Sequence, residues 1–142
     1  MVGALIMAWE IEEIPDESEI YMRVHRGEVK DFPRSIFRDR DGQGMSVDWC
    51  KYATVDETRA KGIQGAPQYG VVALSVGRIR KEVMMRVRHS PVEPTEKETK
   101  GNRAHSDLLG LYGLNKGDTA EARVLLGRIL QWHVQPNDDV VA

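Results

Sequence analysis

The chain carries a single cysteine, Cys50, so no disulfide can form within it, and this usage suits a reducing cytoplasm. Aromatic residues are scarce at 6%, and no RRM, KH or zinc-knuckle motif is present, which excludes the familiar RNA-binding modules. An excess of one charge is missing as well: a formal net charge of −2 gives no global attraction to polyanions. No apolar run is long enough to span a bilayer. The opening Met1-Val2-Gly3-Ala4-Leu5-Ile6-Met7-Ala8-Trp9 is apolar but lacks a basic flank, and we expect a first strand or packed arm in a non-secreted, cytoplasmic protein with no membrane partner. Phosphate-loop glycines are absent too. Gly42-Gln43-Gly44 has no third glycine, no lysine and no following helix, so neither a dinucleotide signature nor a P-loop is present and no cofactor is implied.

Two reactive constellations are also missing. His25, His89 and His105 with Asp48 have zinc-ligand chemistry but no recognised spacing, so no metal is expected. A serine triad from Ser46, Asp48 and a histidine lacks the Gly-x-Ser-x-Gly elbow, and Cys50 has no activating neighbour in sequence.

What is there is one domain's worth of chain, 142 residues with 41% hydrophobic and 30% charged side chains. Ile20, Met22 and Val24 alternate with Tyr21, Arg23 and His25, the pattern of a half-buried strand. Met45, Val47 and Trp49 alternate with Ser46, Asp48 and Cys50 in the same way. Between them, Gly27 to Gly44 reads as a long excursion anchored by Phe32, Ile36 and Phe37. Thr54 followed by Glu57 is a capping box, which predicts a short helix over Val55 to Lys61 stopped by Gly62.

Gly70 to Gly77 is apolar but for Ser75, as in a strand buried on both faces. From Arg78 to Arg88, apolar Ile79, Val83, Met85 and Val87 interleave with Arg78, Arg80, Arg86 and Arg88, and we expect a second strand there with an arginine face. Ser90 to Gly101 is a polar, proline-bearing loop. Asp107 to Leu111 is either a last strand or a turn of helix. Asp118 and Glu121 cap a final helix expected over Thr119 to about Val134, with Ala122, Leu125, Leu126, Ile129 and Trp132 as its apolar stripe. Short strands without regular strand–helix alternation indicate a single α+β domain over residues 1–142. Its sheet is mixed or mainly antiparallel, with a short helix after Thr54 and a long C-terminal helix.

Polar residues of catalytic type fall on the outward positions of these segments: Tyr21, Arg23 and His25; Ser46 and Asp48; Arg86, Arg88 and His89; Asn102, Arg103, His105 and Ser106. Arginine grips phosphate bidentately, and histidine is the usual acid or base near neutral pH. The bland alternative is that the acids of Glu10 to Glu19 neutralise the bases of Arg78 to Arg88.

The set Tyr21-x-Arg23-Val24-His25, Met45-Ser46-Val47-Asp48 and Asn102-x-Ala104-His105 before a Trp-bearing close resembles a group of small uncharacterised bacterial proteins, which implies no activity. More distantly, Arg23 or His25 on an early strand and Ser46 in mid-chain are similar to ADP-ribosyltransferase-like folds, though no late Glu matches their catalytic motif.

The resulting expectation is a sheet face that binds an anionic small molecule or RNA, most specifically a nucleotide or an RNA end. His25 and His105 would act as acid or base, and Arg23, Ser46, Asp48, Arg86, Arg88 and Asn102 would hold the ligand in transfer or hydrolysis. The competing expectation is a non-catalytic module that docks a partner protein or a second copy of itself.

Overall fold

The computed structural model describes residues 9–136, so the arm expected over Met1 to Trp9 lies outside the described residues except for Trp9. Six strands form one sheet in the order β4-β5-β2-β1-β3-β6, and every neighbouring pair is antiparallel. The α+β class read from the sequence is the observed one.

β1 (Glu19–His25) and β2 (Met45–Trp49) follow their alternation: Ile20, Met22, Val24, Met45, Val47 and Trp49 enter the core. α1 (Val55–Ala60) opens on the capping box, with Thr54 accepting from the Glu57 N–H and Glu57 accepting from the Thr54 N–H. Replacing Thr54 by Ala removes one of these reciprocal bonds and should lower stability by about 1 kcal/mol, read as a urea midpoint shift at unchanged slope. β3 (Tyr69–Ser75) is buried from Gly70 through Leu74 because it runs between β1 and β6 and is covered on both faces. Gly70 is required there: a Cβ would meet the Val134 carbonyl at 2.6 Å and the Trp132 ring at 2.8 Å.

The strand expected over Arg78 to Arg88 is corrected by the structure. Ser75 accepts from the Arg78 N–H and caps a single α turn, α2 (Val76–Arg78), which runs on as a π-helical turn over Ile79–Val83. Ile79 and Val83, four apart, are both buried, while Arg78 and Glu82, also four apart, pair on the exposed side. Met84, at φ 59°, reverses the chain, and only β4 (Arg86–His89) is extended. Arg80 reaches Asp16 at 2.7 Å, so part of the arginine run is indeed neutralised by the acidic segment.

β5 (His105–Leu109) resolves the open choice at Asp107 to Leu111 in favour of a strand. The C-terminal helix, α3 (Lys116–Ile129), begins earlier than expected because Asn115, not Asp118, is its cap and accepts from the Asp118 N–H. It also ends sooner. Gln131–Val134 is β6, so Trp132 and His133 sit on an edge strand rather than on the helix. Ala122, Leu126 and Ile129 carry the buried stripe of α3 and pack with Phe37, Ile79, Val83 and the inward strand residues in one core.

That core occupies one face of the sheet. α1 lies against β1 and β3 on the other, leaving the polar positions of β1, β2 and β5 beside it. Among the described residues no helix is long and apolar enough to cross a membrane.

Candidate functional site

The outward positions of β1, β2 and β5 form the floor of a pocket of about 340 Å³, walled by the end of α1 and the loop from Val92 to Asn102. Arg23, Ser46, Asp48, Asn102 and His105 all line it, together with Tyr21 and Lys61. Strand register brings them together. Tyr21 lies opposite Asp48, and Asp48 in turn lies opposite His105. Five of the eight residues expected in the site therefore share one cavity.

The remaining three do not. His25 lies at the end of β1, where its Nδ1 accepts from the Gly27 N–H, its Nε2 meets Gln64 at 2.8 Å and its ring packs edge-on against Tyr69. Arg86 is exposed on the edge strand β4. Arg88 borders an adjoining depression and donates to Asp107 at 3.0 Å. His89, also placed outward in the sequence reading, turns to the core side instead. It is 1% exposed, its Nδ1 accepts from the Glu12 N–H, its Nε2 donates to the Arg103 carbonyl, and its ring meets Trp49 and Tyr52. The alternation of β4 puts His89 in phase with Val87, hence inward.

Within the pocket a hydroxyl and an imidazole are in contact, those of Ser46 and His105. Ser46 Oγ lies 3.2 Å from His105 Nε2. The other ring nitrogen, Nδ1, lies 2.9 Å from the Ser90 carbonyl oxygen, which can only accept, so Nδ1 carries the proton. In the neutral ring Nε2 is then the lone-pair nitrogen and takes a hydrogen bond from the Ser46 hydroxyl. Behind the ring, Ser90 Oγ is 3.1 Å from Nδ1 and donates to Asp107 at 2.7 Å, and Arg88 holds that same carboxylate oxygen. A hydroxyl, an imidazole and an oriented support thus stand in sequence, the arrangement that nucleophilic catalysis would need. Asp48 is not the third member of this set, because its oxygens are taken elsewhere.

Asp48 is buried and accepts from Thr58 at 2.8 Å, Lys61 at 3.0 Å and Asn102 at 2.9 Å. Burial pushes its carboxyl up, but the hydrogen bonds from Asn102, Lys61 and Thr58 together outweigh it and hold the group below the ordinary aspartate range. Lys61 also donates to Asn102 Oδ1 at 2.9 Å, closing a triangle that ties the end of α1 and the end of the loop to β2.

Arg23 donates to the Thr58 carbonyl at 3.2 Å, and among the described residues no carboxylate lies within ion-pair distance of it. Its side chain lines the pocket. The lining thus sets Arg23 and Lys61 against Asp48, which is engaged by its own donors, and Glu98 on the exposed loop. Tyr21 stays a neutral phenol, its ionisation pushed up first by burial and then by Cys50 and Glu19.

No protein-family model, curated protein or solved structure matches this chain. The site must be read from its own geometry.

Sequence reasoning passed over Lys61, Ser90 and Asp107. Asp107 was within reach: once His105 begins a strand, the residue two positions on shares its face. Lys61 carried a fainter signal, as the residue that closes a capped helix following a strand that ends in Trp49. Ser90 contributes chiefly a backbone carbonyl, which sequence does not display. Among the described residues no three of His, Cys, Asp and Glu lie together as metal ligands.

Proposed function

We propose that this pocket binds a phosphate-bearing ligand through Arg23 and that Ser46 attacks the phosphorus with His105 as its base. The observation that carries the reading is the fixed tautomer. Nδ1–H is held by the Ser90 carbonyl, so the lone pair of Nε2 faces the Ser46 hydroxyl at 3.2 Å inside a concave, arginine-bearing cavity.

In the first step the Ser46 oxygen bonds to phosphorus while its proton passes to Nε2. The bond from phosphorus to the leaving oxygen breaks, and that oxygen takes the proton back from Nε2. In the second step water, or an acceptor hydroxyl, attacks the phosphoseryl group with His105 again as base, and the Ser46 oxygen leaves with the returned proton. Water gives hydrolysis and an acceptor gives transfer. Arg23 steadies the charge on the phosphoryl oxygens throughout.

Two measurements test the proposal. Saturating nucleotide should raise the melting temperature of the wild type by roughly 5 °C or more, as expected at about 100 times Kd, and Arg23→Ala should abolish the shift. An activated fluorophosphonate should add its mass at Ser46 in the wild type and at no residue in Ser46→Ala. Nucleotide binding without any labelling of Ser46 would reject the catalytic part and leave a docking module.

A further inference from the structure

We infer that the ligand is a single nucleic-acid strand, laid with one phosphodiester over Ser46 and His105 and a nucleotide on each side. The inference rests on the reading of that pair given above and extends it to a substrate class.

Its basis is that the floor formed by Ser46 and His105 is shared by more than one cavity. They form the saddle between two. The pocket containing Arg23 lies on one side, and a second depression of about 570 Å³ lies on the other, bordered by Gly42, Arg88 and Asp107. Ser46, Val92 and His105 belong to both. A terminal phosphate with one substituent would fill only the first. A diester has a substituent to offer each side.

The same features recur at both ends. On the near side stand Arg23, free of any acid among the described residues, and Tyr21. On the far side stand Arg88, whose side chain is 57% exposed despite its bond to Asp107, and Arg86 two residues along the same strand face. Tyr112, 62% exposed, packs its ring against Gly42, one of the residues that border that depression. Gly42 has φ +76°, and a Cβ there would come within 2.7 Å of the Tyr112 ring. Each side of the saddle thus offers a guanidinium for a phosphate and an aromatic ring for a base, the pairing by which single strands are held. In the sheet order, β1 and β4 are separated by β2 and β5. The backbones of Arg23 and Arg88 are therefore about 14 Å apart across the sheet, one on each side of the Ser46–His105 pair.

The test is fluorescence anisotropy on the intact protein, using labelled single-stranded RNA and DNA hexamers and a labelled mononucleotide as separate arms. A hexamer of either sugar should bind at least about tenfold tighter than the mononucleotide. Its log K should fall with log salt at a slope near −2, as about three arginine–phosphate contacts predict. Arg86→Gln, which breaks no ion pair among the described residues, should reduce that slope by roughly 0.7, and the Arg86→Gln/Arg88→Gln double variant by roughly twice as much. Equal binding of hexamer and mononucleotide, or a slope unchanged in both variants, overturns the strand but leaves the single-phosphate pocket standing. Failure of every arm to bind removes both readings.

Discussion

His105→Gln is expected to cut turnover of a bound phosphodiester by about 10²- to 10⁴-fold while changing KM little, the size of loss typical when a general base is removed. Glutamine fills much the same space and can still reach the Ser90 carbonyl through its amide, but it offers no basic nitrogen at the position of Nε2. Ser46→Ala should fall to the same level. The double variant should be no worse than either single one, because a nucleophile without its base and a base without its nucleophile are equally idle. That non-additivity is the decisive readout. A histidine that only braced β2 against β5 would give an additive loss, shared between activity and stability. Ser90→Ala should do far less, since the carbonyl that fixes the tautomer belongs to the backbone and survives the substitution.

How far this arrangement could be read in advance depended on what kind of residue announced it. Strands β1 and β2 alternate cleanly, so Arg23, Ser46 and Asp48 could be placed on one face before any fold was known. Placing that face beside His105 required the order β5-β2-β1, which arises from long-range pairing and has no local sequence signature. The errors have local causes. Ile79 to Val87 passed for a strand only if Lys81 was ignored; with Lys81 included, the buried pair Ile79 and Val83 keeps helical spacing, as does the Arg78–Glu82 pair. At the C-terminus, Trp132 fits the periodicity of α3. Yet Leu130 leaves helical geometry at ψ 153°, and the edge of β3 takes up Gln131–Val134 in place of another helical turn. Tertiary pairing overrode local pattern there. His25 fell away for a different reason: it follows the same alternation as Arg23 but ends its strand, so it caps the next turn instead of joining the pocket.

Asp48→Ala should destabilise the protein by about 3–5 kcal/mol, and so lower the melting temperature by roughly 10 °C or more, because it strips the acceptor from a buried, charged network. The Thr58 hydroxyl, the Lys61 ammonium and the Asn102 amide all point at that carboxylate, and the substitution leaves each short of a partner. The loss should extend to ligand binding, since the triangle of Asp48, Lys61 and Asn102 holds both walls of the pocket to β2. Acid titration separates this account from simple cavity formation. The folded-state carboxyl titrates below its ordinary value of 3.8, so the folded protein holds its proton less tightly than the unfolded chain does. Its contribution is therefore complete above the usual aspartate range and is lost as pH falls through the depressed value. Urea denaturation of wild type and Asp48→Ala should accordingly show the full stability gap near pH 7, and the gap should narrow as pH drops below about 4. A gap that stayed constant down to the acid limit would mean that the network's charge contributes nothing. The hold of Asp48 on Lys61 and Asn102 would then be a matter of shape alone.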